Sequence, residues 1–325
     1  MSSTTTALIT GVTGQDGTLL ARRLVAEGVQ VHGLAHSAAD RDAWSGPQGV
    51  QVHVGDLTDT AGIEALVRDV APDEVYNLAG ISSVAFSWDH PVLTGAVTGL
   101  GAVGVYEAAR RAQEATGRAV RVVQASSAEI FGVPDRSPQD ESTPVRPVSP
   151  YGAAKAYAHQ MAAVYRSRGV HVATCVLYNH ESPLRPEAFV TRKITAAAAR
   201  IAAAGGGSLT LGNTDARRDW GWADDYVDAL VRAVRHTEAD DFVVATGRTH
   251  SVAEFVAAAF ARVGIDDWQE HVETDPRFVR PVDPGEIVGD ASRARQVLGW
   301  TPTVAFEEIV GRMVDHDVAL LQEGS

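Results

Sequence analysis

Apolar residues recur along the first half of the chain in two alternating patterns. Short β-branched runs predict strands over 7–10, 30–35, 50–54, 74–78, 121–125 and 171–177, and helical spacing of apolar positions predicts helices over 17–27, 58–70, 91–115 and 149–168. Gly28, Pro72 and Gly169 punctuate the helix ends where the chain must reverse. This alternation implies an α/β fold, a doubly wound parallel sheet covered by helices on both faces. After Tyr178 the pattern changes to a polar, proline-containing stretch over 179–187, a helix over 189–204, a glycine-rich turn at 205–207 and a loop over 211–222. A helix over 223–235 and a strand over 241–245 then return to the sheet, and helices near 252–263 and 306–321 close the chain. The division expected is a sheet domain of residues 1–178 plus 223–249, and a smaller mixed α/β lobe of 179–222 plus 250–325.

Composition narrows the classes. The 325 residues are 45% hydrophobic and 21% charged, which excludes a disordered, fibrous or disulfide-stapled chain. A net charge of −13 disfavours nucleic acid and acidic membrane as partners, so an anionic ligand must be held by a local basic cluster. Of 28 basic residues only Lys155 and Lys193 are lysines. The single cysteine, Cys175, lies in an apolar run and reads as a buried strand residue. A short Ser/Thr tail leads straight into the first strand, and no window holds eighteen consecutive apolar residues free of charge, so a soluble, cytoplasmic protein is expected. No metal-ligating spacing stands out.

Gly11-Val-Thr13-Gly14-Gln15-Asp16-Gly17 follows a predicted strand and opens a predicted helix. Glycines at this spacing let the backbone turn tightly and approach a pyrophosphate at the positive end of the helix. Asp56 and Leu57 after the third strand, and Leu78 and Ala79 after the fourth, fall where a dinucleotide would lie. The segment after the second strand carries no acidic residue for a ribose hydroxyl. His36, Ser37 and Arg41 stand there instead, which tilts the cofactor to NADP without excluding NAD.

Tyr151 and Lys155 open another helical pattern, four residues apart on one face. An ammonium beside a phenol favours phenolate, so the pair can serve as a base. Upstream, Ser127 and Glu129 end the fifth strand; if it stays extended, their side chains point to the same side.

These residues carry a resemblance. The segments 7–17, 124–132 (QASSAEIFG), 149–155 (SPYGAAK), 179–183 (NHESP), 189–193 (FVTRK), 211–221 and 277–281 resemble the extended short-chain dehydrogenase/reductases and, within them, the GDP-mannose 4,6-dehydratase family. The resemblance implies a Rossmann domain binding NADP, a nucleotide-sugar lobe, and a reaction in which GDP-mannose becomes GDP-4-keto-6-deoxymannose by internal hydride transfer from C4 to C6. Tyr151 would take the 4-hydroxyl proton, Ser127 would hydrogen-bond that oxygen, and Lys155 would orient Tyr151 and the nicotinamide ribose, so that Tyr151 and Lys155 also belong to the cofactor site. Glu129 would remove the C5 proton and help the 6-hydroxyl leave. Asn179, Lys193, Arg218 and Arg280 would bind the nucleotide and diphosphate, with Val190 near the base. Arg185, a further cation of this lobe, Ser82 and Asp283 complete the expected substrate set.

Departures from the family bear on three of these expectations. Ala35-His36-Ser37 replaces a pair of arginines, and the loop to Val50 is short where the family's loop reaches a neighbouring subunit's cofactor. NADP preference and assembly therefore stay open, with a homodimer expected and a homotetramer as the alternative. Ile81, Ala128, Asp283 and Gly285 also differ from the family pattern. A related 4-ketoreductase or epimerase, or a dehydratase for another nucleotide sugar, remains the alternative activity. A non-enzymatic regulator on the same fold is disfavoured because Tyr151 and Lys155 are both present.

Overall fold

A computed structural model describes residues 4–275, 278, 282 and 284–323. Its centre is a parallel sheet of β1 (Thr6–Thr10), β2 (Gln30–Ala35), β3 (Gln51–Val54), β4 (Glu74–Asn77), β5 (Arg121–Ser127) and β6 (Val172–Leu177). Four short strands follow, β7 (Asn179–Glu181), β8 (Leu209–Leu211), β9 (Arg217–Arg218) and β10 (Trp220–Trp222), before β11 (Asp241–Val244) rejoins the sheet beside β6. The order β11-β6-β5-β4-β1-β2-β3 is a doubly wound topology whose direction of winding reverses between β1 and β4. All the predicted strands are present, most within a residue or two of their expected ends.

Side-chain alternation explains why the sheet runs read as uninterrupted apolar stretches. In β1, Ala7 and Ile9 join the core under α1 (Gln15–Ala26), while Leu8 joins the core on the other face. Strands covered on both faces need no polar side. The helices following α1 are α2 (Ala38–Ala43), α3 (Thr60–Val70), α4 (Val84–Asp89), α5 (Pro91–Thr94), α6 (Gly101–Thr116), α7 (Pro150–Ser167), α8 (Val190–Ala204), α9 (Ala223–Arg235), α10 (Val252–Arg262) and α11 (Phe306–Glu323). Helix α9 covers the α1 face; α3, α6 and α7 cover the other. Helices α2 and α4 have six residues each, too few for a periodic pattern to be read from sequence.

Residues 91–116 form one continuous rod, α5 joined to α6 through a π-helical turn at Gly95–Leu100. The rod is long and apolar enough by composition to cross a membrane. Its apolarity is instead used in part inside the fold, where Ala102, Val105, Tyr106 and Ala109 are buried in the sheet core. The wide π turn brings the Thr98 hydroxyl to the loop after β4, where it accepts a hydrogen bond from the Ile81 amide at 3.0 Å.

A third core is built from α8, α10 and α11 around Ile194, Trp220, Phe255 and Met313. Three further short strands complete this part, β12 (His250–Ser251), β13 (Val272–Thr274) and β14 (Glu286–Ile287), with β9 lying between β12 and β14. Trp220 is buried and meets Phe255 edge to face at 5.2 Å, and Trp222 packs against the same core. Cys175 is fully buried in β6, and burial pushes its thiol well above the ordinary range.

Candidate active site

Where the winding reverses, the loops leaving β1 and β4 part and leave a crevice at the carboxyl ends of the strands. Two glycines make the approach possible. At Gly11, with φ +71°, a Cβ would lie 2.9 Å from the Ala79 Cα, and at Gly17 it would collide with the Gly11 carbonyl and lie 2.7 Å from the Val12 Cα. The resulting cavity of about 530 Å³ is lined by Gly11, Thr13, Gly14, Gln15, Asp16, Gly17, His36, Asp56, Leu57, Leu78 and Ala79. A glycine cradle opening onto the N-terminus of α1 fits a dinucleotide pyrophosphate.

Of the expected cofactor residues, Tyr151 and Lys155 line a second cavity beside this one, and Arg41 lines neither. Arg41 sits on exposed α2 and is paired with Asp42 at 2.8 Å, one residue away. Ser37 is likewise committed: it caps α2, accepting from the Asp40 amide and donating to its carboxylate at 2.7 Å. The short helix turns these groups along its own surface, leaving His36 as the basic side chain after β2 that lines the crevice.

A second cavity of about 430 Å³ adjoins the first, sharing Asp16, Leu78, Ser82, Arg185 and Phe189. It is lined by Ser127, Glu129, Tyr151 and Lys155 together. Helix α7 places the last two: Pro150 occupies its first turn and the Ser149 hydroxyl caps it, accepting from the Gly152 amide at 3.0 Å. One turn separates Tyr151 from Lys155, whose ammonium lies 5.9 Å from the phenol ring centroid and donates to the Ala125 carbonyl at 2.8 Å. That contact ties α7 to the end of β5. The Gln124 side chain donates to the same carbonyl at 2.8 Å and is itself held by Asn77 and Tyr106, so Lys155 is anchored to a buried polar network.

Glu129 reaches the cavity by a different route from the extended strand expected. Strand β5 stops at Ser127, and residues Ala128–Phe131 form a 3₁₀ turn in which the Ser127 hydroxyl accepts from the Glu129 amide at 3.3 Å. The capping hydroxyl favours the turn over further extension. Burial works against the ionised base expected of the Tyr151–Lys155 pair. Burial pushes the Tyr151 phenol up to about 12, against a hydrogen bond with Ser127 that lowers it; burial brings the Lys155 ammonium down to about 8.

Of the expected substrate residues, Ser82, Asn179, Arg185, Val190 and Lys193 line this second cavity. The Arg185 guanidinium stacks 3.8 Å from the Phe189 ring centroid and approaches Glu181 at 3.4 Å. The Lys193 ammonium donates to the Thr210 carbonyl at 2.7 Å, lies 4.4 Å from the Phe278 ring centroid, and also lines a neighbouring cavity of about 780 Å³ with Arg200, Leu209 and Asp275. Arg218 stands apart from these cavities. Pairing of β9 between β12 and β14 buries its side chain, which donates to the Arg217 and Pro284 carbonyls and lines none of these three cavities. Arg280 and Asp283 lie outside the described residues. Phe189, Glu181 and His180 line the site without having been singled out; the NHESP and FVTRK segments were the available signal, but a motif does not say which of its side chains turn inward.

A doubly wound sheet with a glycine cradle, and a Tyr–Lys pair one helical turn apart beside it, defines the class: an extended short-chain dehydrogenase/reductase, with a nicotinamide dinucleotide as cofactor. A family model for GDP-mannose 4,6 dehydratase matches residues 8–313. GDP-mannose 4,6 dehydratase 1 of Arabidopsis thaliana is 43% identical over 97% of this chain and 90% of its own length, and the Vibrio cholerae GDP-mannose 4,6-dehydratase is 38% identical over 97% and 94%. Among solved structures, the Thermus thermophilus UDP-glucose 4-epimerase in complex with NAD superposes with a TM-score of 0.82 at 28% identity, covering 96% of this chain and 98% of that one. The chain belongs to the GDP-mannose 4,6-dehydratase family.

Proposed function

We propose that this protein is a GDP-mannose 4,6-dehydratase, converting GDP-mannose to GDP-4-keto-6-deoxymannose and water. The observation that carries the reading is the convergence of Glu129 with Ser127, Tyr151 and Lys155 on one cavity beside the glycine cradle. A reductase or epimerase needs only the Tyr–Lys pair; dehydration also needs a carboxylate to work at C5 and C6.

A nicotinamide dinucleotide held over the Gly11–Gly17 cradle would supply a reversible hydride acceptor, so that moving hydride from C4 to C6 would leave no net redox change. Tyr151 takes the 4-hydroxyl proton, Ser127 donates to or accepts from the same oxygen, and Lys155 favours the phenolate by its charge. The 4-ketone makes the C5 hydrogen acidic. Glu129 removes that proton and delivers it to the departing 6-hydroxyl, which leaves as water. A proton returned to C5 balances the one left on Tyr151, and C6 ends as a methyl group.

NADP is the dinucleotide proposed. Its support is His36 at the crevice and the lack of a carboxylate among Leu34-Ala35-His36-Ser37; Arg41 does not line the crevice. Purified protein supplied with GDP-mannose in deuterated water, with NADP or with NAD, tests both readings by NMR. Deuterium at C5 together with a new C6 methyl, faster with NADP, is the expected result. An unchanged sugar alongside turnover of another nucleotide sugar overturns the substrate, and equal rates overturn the cofactor preference.

The assembly proposed is a homodimer through the face shared by the 91–116 rod and α7. Val92 and Leu100 on the rod, and Tyr157 and Val164 on α7, are large apolar side chains left exposed on neighbouring helices. The loop after α2 is folded back on its own chain, where the Trp44 indole donates to the Thr18 hydroxyl at 2.9 Å; this favours a dimer over a tetramer built by crossing loops. Sedimentation velocity is expected to give a dimer, and Leu100→Asp with Val164→Asp a folded monomer. A monomeric wild type removes the proposal.

A further inference from the structure

The phosphate-binding end of α1 and strand β7 of the substrate side are joined by a buried polar junction. The Gln15 amide donates to the His180 carbonyl at 3.2 Å and accepts from the Ser182 hydroxyl at 2.8 Å. Beside this pair, His180 Nε2 lies 2.9 Å from the Asp16 carboxylate, and His180 Nδ1 lies 2.7 Å from the Tyr178 carbonyl. A carbonyl oxygen can only accept, and so can an ionised carboxylate. Both ring nitrogens must therefore carry hydrogen, which makes the ring an imidazolium. It stacks on Tyr226 of α9, ring centroids 4.6 Å apart, and the Arg185 guanidinium also faces it.

The position of this ion pair is what gives it a consequence. Asp16 and His180 both line the cavity that holds Tyr151 and Lys155. A lone carboxylate there would oppose the second negative charge that a phenolate creates. We propose that His180 is a positioning residue whose imidazolium neutralises Asp16, so that Tyr151 can ionise in the cavity they share. The inference rests on the reading of Tyr151 as the base.

The titration behaviour agrees with the geometry. Burial alone would raise Asp16, yet the charge and hydrogen bond of His180 bring it down to about 2; burial alone would lower His180, yet Asp16 raises it. At Tyr151, after burial, the groups that matter are Ser127 and Arg185, which favour the phenolate, and Glu129 and Asp16, which oppose it; the Lys155 ammonium lies 5.9 Å from the ring centroid. Removing the imidazolium leaves Asp16 uncompensated on the opposing side.

The test reads Tyr151 directly and needs no turnover. In protein saturated with NADP, tyrosinate ultraviolet absorbance is titrated with pH, and the signal of Tyr151 is isolated by subtracting the Tyr151→Phe variant. His180→Gln keeps a donor for Asp16 but not the charge, and is expected to move the Tyr151 midpoint up by about one pH unit. Asp16→Asn with His180→Gln removes both charges and is expected to return it to the wild-type position. Asp16→Asn alone, which serves if the glutamine variant does not fold, is expected to leave the midpoint unchanged or lower. A midpoint in His180→Gln equal to wild type, a double variant that keeps the single variant's shift, or a raised midpoint in Asp16→Asn overturns the proposal. Because the signal is ionisation, its failure is distinct from failure to turn over GDP-mannose.

Discussion

Glu129→Gln is expected to stop the reaction after its first half. The amide keeps the shape of the carboxylate on the 3₁₀ turn at Ala128–Phe131 but can neither take the C5 proton nor deliver one to the 6-hydroxyl. Loss of a positioned acid/base costs about 10²–10⁴ in rate, so kcat should fall by that factor. The diagnostic is the split between steps. With GDP-mannose present, reduced-nicotinamide absorbance should rise and persist, while NMR in deuterated water shows neither deuterium at C5 nor a C6 methyl. Turnover within tenfold of wild type would remove Glu129 from the mechanism and, with it, the main reason for preferring a dehydratase over a reductase or epimerase.

Tyr151→Phe is expected to fail one step earlier. The ring stays packed at the start of α7, because the buried phenyl and its backbone contact to Ser87 do not depend on the hydroxyl. What disappears is the group that takes the 4-hydroxyl proton and its hydrogen bond with Ser127. No reduced-nicotinamide signal should appear on mixing with GDP-mannose, and turnover should fall by about 10²–10⁴, while GDP-mannose binding measured by calorimetry stays within a few-fold of wild type. Comparable loss of binding would mean that Tyr151 shapes the pocket rather than performing the chemistry. Sign matters for pH: Tyr151 acts as a base once it has lost its proton and burial raises it, so wild-type turnover should increase with pH toward that raised value, and this limb should be missing from any residual activity of the variant.

The site was legible in the sequence where a short local spacing carries the chemistry. The glycines from Gly11 to Gly17 and the Tyr151–Lys155 pair each sit within a few residues of chain, and the strand or helix around them was readable from apolar periodicity, so their place at the crevice followed. Arg41 and Arg218 mark where that reasoning reaches no further. Each is a cation in a plausible segment, but Asp42 claims the first and the Arg217 and Pro284 carbonyls the second. Charge in a sequence does not reveal which acceptor lies nearest in space. Glu129 was found for an incomplete reason, since a hydroxyl cap turned the chain where strand alternation had been expected to continue.

By itself the sequence determined the α/β architecture, the cradle, the Tyr–Lys pair and the family, because all four rest on periodicity or on motifs whose members are close along the chain. Only the tertiary structure decided which cations reach the cavities, how the loop at Trp44 folds onto α1, and that His180 meets Asp16 across 164 residues of sequence with acceptors at both ring nitrogens. Those outcomes depend on which of several competing partners the packed fold brings within hydrogen-bond distance, and that choice is made by the whole sheet and its helices rather than by any one segment.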